Sequence, residues 1–185
     1  MPKKVPAAPR RSRAAKAVVA ALSSPATRGV VRLGGLNLHC ALGRSGRRAR
    51  KREGDGATPV GCFRAVDVLY RADRIARPST GLPVKPIGRA DGWCDAPGDR
   101  NYNRGVRLPY AASAECLWRA DPLYDLVVVL AYNMRPRVQG RGSAIFVHVA
   151  GPGLAPTQGC IALSRQHLVL LLRHLRSGAR MRILP

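Results

Sequence analysis

Apolar and polar positions alternate along much of the chain, and the period is mostly that of a strand. Leu36, Leu38, Cys40 and Leu42 alternate with other residues, which predicts a strand with one buried face. Cys62 to Tyr70 is a β-rich run, and Asp125 to Ala131 contains Val127-Val128-Val129 with no polar face at helical spacing. Both predict strands, as does Ser143 to Val149 with its β-branched and aromatic content. One segment has the helical period. Leu168, Leu171, Leu172 and Leu175 recur at i, i+3, i+4 and i+7, Ser164 is a suitable N-cap and Gly178 a suitable stop, so a helix is predicted over 164–176. Met181 to Leu184 returns as a short strand. The long stretch from Pro78 to Pro109 is rich in Gly, Pro, Asp and Asn and is predicted as a functional loop, with Trp93, Tyr102 and Asn103 as candidates to line a cleft. The sum is a mainly β chain with one late α-helix.

At 185 residues the chain has the size of one domain with a proper core. No apolar run approaches the roughly 18 residues that span a bilayer. The formal charge is +22, and its distribution changes the picture. Residues 1–52 hold fourteen Lys and Arg and no Asp or Glu, whereas the remainder holds eighteen against ten. Residues 1–30 therefore read as a basic, disordered tail or a weak targeting segment. Ala17 to Leu22 is a short h-region after a basic stretch, and Arg10-Arg11 is an adjacent arginine pair. Residues 31–185 read as the folded domain. A basic front end suits an anionic polymer or surface as partner, and the lack of an RNA-binding motif with interleaved aromatics argues against specific nucleic acid.

The candidate chemistry lies between His148 and Cys160, which stand at the two ends of one Gly/Pro-rich loop. A thiol needs a base or a cation nearby to become the attacking thiolate, and a His at a strand end can meet a Cys at a loop end. Gly159 permits a tight turn that directs backbone N–H groups toward a developing oxyanion. The ordinary alternative is a buried structural thiol and a core histidine. Cys40, Cys62, Cys94 and Cys116 form no CxxC pair, which argues against a zinc site and leaves either buried thiols, the preferred reading, or two disulfides. His39 and Cys40 are expected on opposite faces of their strand.

The segment SAIFVHVAGPGLAPTQGCIAL, residues 143–163, resembles the active-site segment of the L,D-transpeptidase catalytic domain, the cysteine enzymes that cross-link peptidoglycan stems. The family's His, variable loop, Ser or Thr, Gly and Cys fall on His148, Thr157, Gly159 and Cys160. Further likeness lies in 51–61, in Gly92-Trp93-Cys94-Asp95, in Tyr102-Asn103-Arg104 and in Tyr132-Asn133, so that it covers about residues 31–184. The resemblance implies a β-sandwich or partly closed barrel with Cys160 beside the sheet. It also implies Cys160 as nucleophile, His148 as base, and an oxyanion hole from backbone N–H groups of Thr157, Gly159 and Cys160. Substrate contacts are expected from Trp93, Tyr102, Asn103 and Asn133. Many members carry a second His before the Gly and an Arg or Asn two positions after the Cys, where this chain has Gln158 and Ala162. Arg141 and Arg165 are then the candidates for binding a substrate carboxylate. The implied partners are peptidoglycan stem peptides in the cell envelope or periplasm, with no metal or organic cofactor. Two alternatives stay open: an L,D-carboxypeptidase or other cysteine peptidase that resolves the thioester with water, and a non-catalytic wall- or polyanion-binding domain.

Overall fold

The computed structural model describes residues 16–23 and 26–185. In chain order the strands are β1 (Lys16–Ala21), β2 (Arg28–Leu33), β3 (Leu36–Ala41), β4 (Arg47–Arg48), β5 (Thr58–Pro59) and β6 (Gly61–Tyr70). They are followed by β7 (Val84–Pro86), β8 (Asp91–Cys94), β9 (Arg104–Arg107), β10 (Ala114–Cys116), β11 (Leu126–Leu130), β12 (Phe146–Val149) and β13 (Ile161–Leu163). The helix α1 (Arg165–His174) then leads to β14 (Arg180–Ile183).

The main sheet closes on itself. Its order is β11-β12-β13-β3-β2-β1-β14-β6, and β6 also pairs with β11. The closure is possible because β6 is long: its first residues, Gly61–Arg64, pair with β14, and Ala65–Tyr70 pair with β11, with a register shift between Val129 and Leu130. β7 adds beside β6 at Val68–Tyr70. The fold is thus mainly β, a partly closed barrel of eight strands with one late helix.

Alternation within strands decides what faces the interior. Along β11, Leu126, Val128 and Leu130 enter the main core with Leu168, Leu171 and Leu172 of α1, while Val127 and Val129 enter a second cluster with Tyr124, Phe146 and Cys160. Burial on both faces explains why the Val-rich run shows no polar side. On β12, Val147 and Val149 belong to the main core and Phe146 to the second cluster. His148 follows Phe146 at a spacing of two and so shares the face away from the main core. Ser164 caps α1 by accepting from the His167 N–H, as its position predicts.

Three expectations are corrected. The boundary at residue 30 falls inside β2. Lys16–Ala21, expected in the tail, is a barrel strand parallel to β14 and antiparallel to β2, with Ala17 and Val19 fully buried. A six-residue strand contributes apolar burial and two rows of hydrogen bonds whatever basic residues precede it; residues 1–15 lie outside the described residues. The 78–109 loop contains β7, β8 and β9, and β8 joins β9 and β10 in a three-stranded flap. Gly and Asn mark its turns, but its short strands carry too few apolar residues to show a period. The 143–149 strand starts only at Phe146, because Ala144 takes φ 48°, outside the extended region.

Candidate active site

Cys160 and His148 line one cavity of about 490 Å³, with Thr157 and Gln158 of the intervening loop on its rim. The other walls come from the flap and its approach (Asp95, Glu115, Arg119, Tyr124) and from Lys51 and Glu53. His148 is held at Nδ1, 2.8 Å from the carbonyl of Val149. A carbonyl only accepts, so Nδ1 carries the proton and Nε2 is left with the lone pair. The ring of Tyr124 packs edge-on against His148 with centroids 5.4 Å apart, which fixes its plane.

The Cys160 sulfur is fixed by two backbone groups. Its thiol donates to the Ala144 carbonyl at 3.2 Å, and it accepts the Phe146 N–H at 3.4 Å. The carbonyl of Cys160 accepts from the hydroxyls of Thr157, at 2.7 Å, and Thr58, at 3.3 Å. No hydrogen bond joins Cys160 to His148. Burial pushes the thiol up to about 12, with the Glu115 charge adding to it, while burial pushes His148 down to about 4, with Arg119 adding to it. The resting pair is therefore a neutral thiol and a neutral imidazole.

The expected oxyanion hole needs revision. The Thr157 N–H donates to the Leu42 carbonyl at 2.9 Å and the Gly159 N–H to the Thr157 hydroxyl at 3.1 Å, so both are already committed. The N–H groups of Gln158 and Cys160 have no acceptor among the described residues. Gly159 is required for another reason: its φ is +127°, and a Cβ there would lie 2.7 Å from the Ala57 carbonyl oxygen.

Of the residues expected to touch substrate, none lines this cavity. Tyr102 is fully buried, donating to Glu53 and accepting the Gly142 N–H at 3.0 Å. Asn103 accepts from Trp93 Nε1 at 3.0 Å and from the Ala144 N–H at 3.1 Å, and donates to the carbonyls of Tyr132 and Asn133. Asn133 in turn bonds Val138 and Gly142 across its own loop. These three side chains build the frame. Trp93 packs edge-on against Phe146 and, with Asn103, lines a second cleft. Arg141 is exposed away from the cavity, and Arg165 pairs with Asp125 at the start of α1.

The cations that do reach the cavity are Lys51, 3% exposed and 2.7 Å from Asp55, and Arg119, which forks onto Asp121 at 2.8 and 2.6 Å. Lys51 had a signal in the sequence, since it is one of only five lysines in a chain that otherwise uses arginine. Glu115 and Tyr124, hydrogen-bonded to each other, had none. Burial raises the Glu115 carboxyl above the usual range. All five cysteines are free thiols: Cys40, Cys94 and Cys160 are buried, but Cys62 and Cys116 are exposed, contrary to the buried reading of the four. Among the described residues no His, Cys, Asp and Glu cluster could hold a metal ion, and no helix is long and apolar enough to cross a membrane.

The depressed His148 has a consequence for stability. The unfolded chain binds its proton near pH 6.5 and the folded chain only near 4, so stability rises with pH through that window and is lost as pH falls through it. The expected loss is on the order of 3 kcal/mol between about pH 7 and 4. Melting temperatures of wild type and His148→Gln over this range check it: the variant should show a shallower slope, and equal slopes would exclude a buried neutral His148.

The sequence matches the family model of the L,D-transpeptidase catalytic domain, YkuD, over residues 17–183. No curated protein matches the chain significantly. Among solved structures it is similar to Mycobacterium tuberculosis L,D-transpeptidase 1, at 15% identity and a TM-score of 0.42, covering 93% of this chain and 62% of that one.

Proposed function

Because the chain belongs to the L,D-transpeptidase (YkuD) catalytic-domain family, we propose that its cavity performs acyl transfer between peptidoglycan stem peptides in the cell envelope, with Cys160 as nucleophile and His148 as base. The observation that carries this reading is the placement of the Cys160 sulfur and the His148 imidazole on one cavity, the first held by Ala144 and Phe146, the second held at Nδ1 with Nε2 free. Sγ attacks the carbonyl carbon between the third residue of a donor stem and its terminal D-Ala. Its proton passes to Nε2 and then to the leaving amine, so D-Ala departs and a thioester remains. An acceptor amine attacks that thioester and restores the thiol.

Since both groups rest neutral, proton transfer and attack belong to one step, and a free thiolate does not accumulate. The N–H groups of Gln158 and Cys160 are the donors for the developing oxyanion. Lys51 and Arg119 take over the carboxylate recognition expected of Arg141 and Arg165, and Asp95 and Glu115 offer negative charge to a substrate ammonium. Asp95 Oδ1 is buried without a hydrogen bond, as a site for an incoming donor requires.

The test is to incubate the purified protein with defined muropeptides and read the products by mass. A cross-linked dimer with loss of D-Ala is expected; a shortened stem without a dimer would replace the transferase by a hydrolase. His148→Ala should slow the reaction by about 10²-fold or more, the usual scale for a lost general base. Wild-type turnover in that variant would make His148 a core residue.

A further inference from the structure

The second cleft, of about 570 Å³, shares no lining residue with the cavity of Cys160 and plays no part in the chemistry above. Arg64, Arg104, Arg135, Arg137 and Arg180 line it, from β6, β9, the turn after β11 and β14. Among the described residues none of these five guanidiniums forms an ion pair or a hydrogen bond, and the undescribed ones contain no Asp or Glu. The one carboxylate in the lining, Asp67, is taken by Lys85 at 3.0 Å.

Strand register sharpens the point. Arg180 stands directly opposite Arg64 across β14 and β6, and opposite Lys16 across β14 and β1, so three exposed cations form one row. Like charges in opposed positions destabilise a sheet. At the other wall Arg137 has a buried Nε with no partner, and desolvation together with the charges of Arg104 and Arg135 holds its guanidinium below its ordinary value. A cluster that repels itself and leaves a buried donor unpaired is completed by an anion.

We propose that this cleft binds a short chain of linked phosphate groups, separately from the stem-peptide cavity. Guanidinium forks match phosphate oxygens in pairs, and five of them exceed what one carboxylate neutralises. Two or three linked phosphates fit both the charge and the space. The apolar stretch of the lining, Val66, Val129 and Met134, suits a carbon linker between phosphates. Bases of a nucleic acid would need aromatic faces to stack on, and Trp93 is the only aromatic in the lining.

Calorimetric titration tests this with two probes, inorganic tripolyphosphate and a synthetic glycerol-phosphate trimer. The first stands for a free phosphate chain and the second for a segment of a phosphodiester polymer; the tighter one names the source. One-to-one binding is expected, weakened about tenfold or more in Arg104→Gln/Arg137→Gln/Arg180→Gln. A control with three exposed arginines elsewhere removed, Arg48→Gln/Arg50→Gln/Arg173→Gln, loses the same charge and should stay within about twofold of wild type. The cleft variant should also melt no lower than wild type, because it removes repulsion. Equal losses in the two variants would mean attraction to a basic chain in general, and absence of saturable binding by either probe would overturn the proposal. Tighter binding of a thymidine hexanucleotide at the same cleft would replace it by a nucleic-acid site. Muropeptide turnover does not enter this readout, so its outcome is independent of the proposed reaction.

Discussion

Cys160→Ser should retain the fold and lose acyl transfer by on the order of 10⁴-fold or more. A serine hydroxyl fits between the Ala144 carbonyl and the Phe146 N–H where the thiol sits, so the loop from Thr157 to Cys160 and the melting transition should be preserved. What is lost is chemical. The imidazole on the same cavity is pushed down to about 4, too weak a base to activate an alcohol when its Nδ1 faces only a backbone carbonyl. Mass spectrometry should find an acyl-enzyme on the wild type and none on Cys160→Ser or Cys160→Ala. Dimer formation by either variant would remove Cys160 from the mechanism. The same neutrality of the pair predicts that small alkylating agents reach the exposed Cys62 and Cys116 before Cys160 in the free protein, so slow alkylation is no sign of a spectator.

Deleting residues 1–30 should abolish cooperative folding. The deletion removes all of β1 and opens the barrel between β2 and β14. It also removes Ala17, Val19, Ala26 and Val30 from the buried set. Burial of one such valine is worth about 1.5–3 kcal/mol, and the backbone hydrogen bonds of both β1 edges go with it, against a total stability of about 5–15 kcal/mol. Removal of residues 1–15 alone, which precede both β1 and the family match, should leave a sharp thermal transition and muropeptide turnover. A folded, active protein without residues 1–30 would mean that β1 is dispensable to the ring.

Strands with a strong period were legible in the sequence, and so was the capped helix. Leu36, Leu38 and Cys40 alternate because one face of β3 meets the core, and α1 shows its apolar stripe because it lies on a single surface. β1 was hidden by its surroundings. Ala17 and Val19 alternate too, but over only six residues, and the arginines before them weigh on any window that includes both. The shared cavity of His148 and Cys160 was legible because the two residues sit twelve positions apart around one loop, whereas Glu115, Arg119 and Lys51 reach it from distant segments. Trp93, Asn103 and Asn133 stood out as loop residues, yet their side chains serve the frame: Trp93 donates to Asn103 within the flap, Asn103 holds the flap to the 132–144 segment, and Asn133 braces its own loop.

The pairing of β1 with β14 sets Lys16 opposite Arg180, so the barrel is closed by its most distant sequence partners. Such a topology has high contact order, and chains of this kind fold in milliseconds to seconds rather than microseconds. During synthesis β1 emerges first among the described strands and finds its parallel neighbour only after all the others have been made. Until then β2 alone can cover it, and the incomplete sheet has open edges that other chains can extend. The ring therefore cannot close until β14 has been made.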